Sequence, residues 1–198
     1  CTLSPVATTS FFPAKPLGCY RDGGAVFTDD DELAGRMRMI LNHGQRARYD
    51  HAVIGINARL DTLQAAVLRA KLARFGEEIA RRQQVADWYS DALNELQDVV
   101  RIPVVLDHNT SVWAQYTIRV PDRDRVRVAL SERGIPTSVH YPIPLHQQDA
   151  FSEHAQRHVS VPNTEEASSQ VISLPMHPFL RNGEVERIVA AIRDVVGG

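Results

Sequence analysis

Lys15 stands between Pro13 and Pro16, five residues after Ser10, and Asp22-Gly23-Gly24 follows. The two prolines fix φ and remove backbone donors, so Lys15 cannot lie in mid-helix and its ammonium is presented from a stiff segment. Phe11 and Phe12 can supply an apolar surround, and a desolvated lysine loses part of its preference for the charged form and becomes a usable nucleophile. The competing reading is a solvated loop lysine, which residue types alone favour. Asn57, in Gly55-Ile56-Asn57-Ala58-Arg59, carries an amide that can donate to a phosphate without adding charge; a turn asparagine is the plainer alternative. Arg59 has a planar fork suited to a carboxylate or pyrophosphate, or to a surface ion pair with Asp61 or Asp50. His146, His154, His158 and His177 read as structural. His154 and His158 are four apart and could share a helix face, but no carboxylate or thiol completes a metal set.

The elements that must position these groups follow from pattern. Val6 to Phe12 reads as a short strand feeding the lysine loop, and Ala25 to Thr28 as a second. Gly18, Gly23 and Gly24 bracket a turn, where glycine's access to positive φ is the expected reason for its use. Thr28 or one of Asp29, Asp30 and Asp31 caps a helix with an apolar stripe of Leu33, Met37, Ile40 and Leu41, stopped at Gly44. Gln45 to Ala58 has no period and reads as an ordered loop. A long helical pattern runs from Asp61 to about Leu96, with Gly76 a candidate kink or interruption, and the domain boundary is placed within it. Beyond it, Val112 to Val120 alternates like a strand. Asp122 to Arg133 reads as a helix ended by Gly134, Thr137 to Tyr141 as a strand, Thr164 to Ser173 as a helix, and Gly183 to Val196 as the last helix.

The chain has 198 residues, 43% hydrophobic and 23% charged, with formal net charge −2. That is an ordinary composition with apolar residues enough for a core, and it gives no reason to expect nucleic acid or an anionic membrane as partner. No apolar run approaches a membrane span and no charged-then-apolar leader opens the chain. Cys1 and Cys19 make no disulfide framework, so a reducing cytoplasm is the expected compartment.

The run Ser10-Phe11-Phe12-Pro13-Ala14-Lys15-Pro16-Leu17-Gly18-Cys19-Tyr20 with Asp22-Gly23-Gly24-Ala25 resembles the cofactor-lysine segment of the DegT/DnrJ/EryC1/StrS sugar aminotransferases. His43-Gly44-Gln45, Gly55 to Asp61, Val139 to Leu145 and Ser173 to Pro178 continue the resemblance in order, from about Thr8 to Ile192. It implies an α/β fold, the C-terminal part of an aspartate-aminotransferase-like (fold-type I) architecture. Residues 1–75 would be the remainder of the cofactor-binding large domain and residues 76–198 a small C-terminal α/β domain. The first half of the large domain, with the groups that pair with and stack on the cofactor ring, would precede this chain. The implied cofactor is pyridoxal 5'-phosphate (PLP). Lys15 would be the catalytic lysine that condenses with its aldehyde and moves the proton. Ser10, and Asn57 reaching across a homodimer interface, would hold its phosphate. His43, Arg59, His140 and Tyr141 would face a nucleotide-sugar, with an amino acid, glutamate, as donor.

Ala114 replaces a histidine common in dideoxysugar relatives. Together with Gln45 and Thr62-Leu63-Gln64-Ala65-Ala66, it points to the branch aminating UDP-linked 3-keto-uronic acids for O-antigen. The alternatives are a dTDP-keto-hexose aminotransferase, or a non-catalytic piece that only dimerises or binds nucleotide-sugar. Arg21 stands where the family usually has glycine, and would be strained if that position needed positive φ.

Overall fold

The structure, a computed structural model, describes residues 3–151 and 160–197. It divides into two compact units, residues 1–76 and 77–198.

In the first unit, strand β1 (Ala7–Ser10) pairs antiparallel with β2 (Gly24–Phe27), with Ser10 opposite Gly24. Helix α1 (Asp31–Leu41) starts at Asp30, whose carboxylate accepts the Leu33 N–H at 2.9 Å, and opens on acidic Asp31 and Glu32. None of its residues is buried within this chain. At its end His43 and Gly44 both take positive φ, 62° and 72°, and the chain turns back. The segment after the short antiparallel pair β3 (Gln45–Ala47) and β4 (Asp50–His51) then returns to the same helix end. Ile56 N–H donates to Ile40 O at 2.8 Å, Ala58 N–H to Leu41 O at 3.0 Å, and His43 N–H to Ile56 O at 3.0 Å. The approach is closer than a side chain allows: a Cβ at Gly55 would lie 2.0 Å from Gly44 N, and one at Gly44 1.7 Å from Val53 O. Helix α2 (Thr62–Leu72) follows.

The second unit holds the main core. Helix α3 (Phe75–Leu93) enters it and buries Val85, Ala86, Tyr89 and Leu93. Strands β5 (Tyr116–Arg119) and β6 (Val171–Leu174) pair antiparallel, Tyr116 opposite Leu174 and Thr117 opposite Ser173. Single bridges extend the ladder on both sides, Arg101 to Arg119 and Ser138 to Ser173. Helix α4 (Arg123–Glu132) precedes Gly134 at φ 70°, and helix α5 (Pro162–Gln170) leads straight into β6. Helix α6 (Asn182–Gly197) buries Val185, Ile188, Val189, Ile192 and Val195, the spacing of one helical face. Tyr89 and Tyr116 stack at 4.9 Å in the middle, with Trp113 5.4 Å from Tyr116. Their hydroxyls are satisfied: Tyr89 donates to Pro175 O and Tyr116 bonds Ser90 Oγ, each at 2.8 Å. Arg82, also buried, donates to Trp113 O at 2.9 Å while its Nε has no partner among the described residues. Burial pushes its pKa below the ordinary guanidinium value, against the raising influence of Glu78.

Several sequence expectations are corrected. The long helix is two: the interruption expected near Gly76 falls at Ala73 and Arg74, and Gly76 itself lies in the first turn of α3. The loop from Gln45 contains the β3–β4 pair. Val171-Ile172-Ser173 is strand, not helix end. A short apolar run has no period of its own, and here its pairing with β5 decides. Thr137 to Tyr141 contributes one bridge, at Ser138, because Pro136 and Pro142 cannot donate to a ladder on either side. Gly18, Gly23 and Gly24 are not at positive φ; a Cβ at Gly18 would meet Phe12 O at 2.6 Å, so lack of room is the constraint. Arg21 is not at positive φ either, so the strain conditional on it does not arise.

Gly55→Ala is expected to cost about 3 kcal/mol through overpacking against backbone, read as lost hydrogen-exchange protection of the Ile56 amide. Gly76→Ala, where a Cβ meets nothing within 4 Å, should be neutral or stabilise by up to about 1 kcal/mol. Burial, first, then neighbouring charges push the Tyr89 hydroxyl above its ordinary pKa, and burial does the same to Tyr116 despite the opposing bond from Ser90. A raised folded pKa on an acid that is neutral when protonated gives stability that is full below the unfolded value, about 10 for tyrosine, and lost as pH rises beyond it. The melting temperature should therefore fall steeply above pH ~10. Tyr89→Phe should flatten that fall while costing about 1 kcal/mol at neutral pH.

Candidate active site

The lysine loop closes on itself between β1 and β2. Lys15 N–H donates to Phe12 O and Cys19 N–H to Phe11 O, each at 2.8 Å, and Phe11 N–H donates to Gly23 O at 2.7 Å. The buried Cys19 thiol lies within the same loop with its one proton shared between two carbonyl oxygens, Arg21 O at 2.7 Å and Phe11 O at 3.1 Å. Ser10 Oγ accepts the Phe12 N–H at 3.2 Å, which orients that hydroxyl at the strand end. Lys15 itself is exposed, so Phe11 and Phe12 do not bury it within this chain. Its ammonium has no hydrogen-bond or ion-pair partner among the described residues.

Helix α2 braces the loop from the side. Lys71 Nζ donates to Gly18 O at 2.5 Å, and Tyr20 N–H donates to Gln64 Oε1 at 2.9 Å. Gln64 and Lys71 are seven apart, two helical turns, and so share one face. Sequence reasoning missed both as loop supports; the seven-residue spacing of two long polar side chains was the available signal.

His43 and Asn57 are brought together by the glycine contact, through the Asn42 to Asn57 bridge and the His43 to Ile56 hydrogen bond. His51 Nδ1 bonds His43 O at 2.8 Å, which makes Nδ1 the protonated nitrogen of that ring. The Asn57 amide and the Arg59 guanidinium have no side-chain partner among the described residues. Asp50 pairs with Arg46 at 2.9 Å, and among the described residues neither Asp50 nor Asp61 forms the ion pair expected as an alternative for Arg59. Leu60 then packs on the lysine loop: a Cβ at Gly23 would lie 3.0 Å from its Cδ1. Ser10, Lys15, His43, Asn57 and Arg59 thus belong to one unit.

His140 and Tyr141 belong to the other unit, edge to face at 5.4 Å, on the wall of a largely apolar, open pocket of about 480 Å³ lined also by Pro142, Ile143, Leu145 and residues of α5. His140 Nδ1 lies 2.9 Å from Ser173 Oγ. His146 pairs with Glu165 at 3.1 Å, in keeping with a structural role. His154 and His158 lie outside the described residues. Among the described residues no group of three or more His, Cys, Asp or Glu could hold a metal ion.

This α/β arrangement has solved counterparts. The crystal structure of NtdA from Bacillus subtilis with bound cofactor PMP superposes with a TM-score of 0.90 at 29% identity, over 100% of this chain and 47% of that one. Residues 1–193 match the DegT/DnrJ/EryC1/StrS aminotransferase family model, and the chain belongs to that family of PLP-dependent, fold-type I enzymes. The UDP-2-acetamido-2-deoxy-3-oxo-D-glucuronate aminotransferase of Pseudomonas aeruginosa is 50% identical over 98% of this chain and 53% of its own length. The dTDP-3-amino-3,4,6-trideoxy-alpha-D-glucose transaminase of Streptomyces venezuelae is 42% identical over 96% and 50%. The chain spans about half the length of the curated relatives it matches. The donors on the first unit fit a phosphate-bearing aldehyde: a free primary amine, an oriented hydroxyl, and an amide with no internal partner.

If α2 holds the loop as its bonds indicate, Lys71→Met should speed amide exchange at Cys19 by about tenfold, the worth of one charged hydrogen bond. Unchanged exchange would show that the loop is held without it.

Proposed function

We propose that the protein is a PLP-dependent aminotransferase acting on a nucleotide-linked keto-sugar. What carries this reading is Lys15, a primary amine free of internal partners on a loop tied by backbone, thiol and helix-borne bonds. Ser10, and Asn57 contributed by a second copy of the chain, hold the cofactor phosphate with neutral donors. When bound, the cofactor supplies an electron-withdrawing ring that lets the proton leave the amino-bearing carbon. Lys15 would take the α-proton of the donor amino acid on Nζ in one half-reaction and deliver a proton to the sugar carbon in the other. Its loop leaves the amine free to do both without breaking an ion pair. Residues 1–75 serve as the remainder of the cofactor-binding domain and residues 76–198 as the small domain. His43, Arg59, His140 and Tyr141 face the nucleotide-sugar.

For the substrate, the 50% identity to the oxo-glucuronate aminotransferase and the residues Gln45 and Ala114 support a UDP-linked 3-keto-N-acetylglucosaminuronic acid. Glutamate is the amino donor, and the product is a polysaccharide or O-antigen precursor. The 42% identity to a dTDP-sugar transaminase keeps a dTDP-keto-hexose as the second reading. No helix among the described residues is long and apolar enough to cross a membrane. Cytoplasmic location and a homodimer with shared sites complete the proposal.

The test is borohydride reduction after incubation with PLP, on this chain and on its natural full-length form. The expected result is a pyridoxyl mass on Lys15, and a fall in transamination by about 10³-fold or more in Lys15→Ala. UDP should compete with substrate better than dTDP. Full activity in Lys15→Ala would remove the mechanism.

A further inference from the structure

Ser173 is a serine in an otherwise apolar strand, only 4% exposed. The ladder explains what surrounds it. Thr117 is its direct partner across β5–β6, and Ser138 bridges it from the other side, with Ser138 N–H donating to Ser173 O at 3.1 Å and Ser173 N–H to Ser138 O at 2.7 Å. His140, two residues beyond Ser138, places Nδ1 2.9 Å from Ser173 Oγ, which in turn lies 2.8 Å from Thr117 Oγ1. Neither hydroxyl has another side-chain partner among the described residues, and His140 Nε2 has none.

Such a row of groups has two self-consistent states. In one, Thr117 donates to Ser173, Ser173 donates to Nδ1, and Nε2 carries the ring proton, so Nε2 is a donor. In the other, Nδ1–H donates to Ser173, Ser173 donates to Thr117, and Nε2 is a bare acceptor. Both states hold the same number of protons and differ only in ring tautomer and the direction of two hydroxyls.

We propose that Thr117 and Ser173 are positioning residues that anchor the His140 ring and let its Nε2 switch between donor and acceptor as the group it meets changes. The inference rests on the transamination reading, in which a keto oxygen, an acceptor only, is replaced on the sugar by an amino group that donates. A histidine fixed in one tautomer would suit only one side of that exchange.

Thr117→Val tests this, because it leaves Nδ1 as the sole acceptor for the Ser173 hydroxyl and locks Nε2 as donor. Nitrogen-15 NMR of the His140 ring should show both tautomers in the unsubstituted protein. It should show the Nε2–H form alone in Thr117→Val, and a return to the mixture in Thr117→Ser. In turnover, Thr117→Val should lower kcat about tenfold with little change in KM, as expected when a hydrogen bond needed on one side of the reaction is lost. Ser173→Ala should release the ring and give the signals of an unrestrained imidazole. His140 signals identical in all these forms would overturn the proposal, whether or not Lys15 takes the pyridoxyl label. The tautomer response together with an unlabelled Lys15 would uphold the relay and sink the aminotransferase reading.

Discussion

A methyl group will not fit between residues 43–44 and 53–55, and the first unit depends on that fact. Among the described residues its buried apolar side chains are Cys19 and Leu68 alone, and α1 buries nothing. What organises it is backbone against backbone: Gly44 and Gly55 in contact, their neighbours hydrogen-bonded to the end of α1, and Gly18 pressed on Phe12 O. Backbone groups that meet this closely satisfy one another without side chains, leaving the side chains of Asn57, Arg59 and Lys15 outside the internal bonding of the described residues. The same economy makes the region intolerant, because no rotamer change can relieve a clash with main chain.

The second unit works by side-chain packing. Tyr89, Tyr116 and Trp113 fill its centre, the apolar face of α6 closes one side, and the β5–β6 ladder turns Tyr116, Ile118, Ile172 and Leu174 inward. The alternation that points those residues at the core turns Thr117 to the other face, beside Ser173. Polar chemistry around His140 is therefore a by-product of register, and it sits on a rigid support.

Where the sequence carried a strong local signal, the structure agrees. The acidic cap and stripe of α1, the glycine stop after α4 and the amphipathic α6 are visible as patterns. So is the strand that delivers Ser10 to the lysine loop. What was not legible depends on partners far along the chain. Val171 to Leu174 becomes a strand because β5 lies beside it, fifty-odd residues earlier. The break at Ala73 and Arg74 has no glycine or proline to announce it. At the site, Lys15 could be singled out by its prolines; its bracing by Gln64 and Lys71 left only the seven-residue spacing of two polar side chains as a signal, and nothing local links α2 to Gly18. The Thr117–Ser173–His140 row is further still from view, because three segments must first fall into register.

Cys19 gives the lysine loop a built-in clock. Its thiol is buried and committed to two carbonyls of the same loop, Phe11 O and Arg21 O. A reagent can reach the sulfur only when those contacts part, so the alkylation rate of this one side chain counts loop openings directly. Any opening of the loop that carries Lys15 can thus be timed on a residue outside the proposed chemistry.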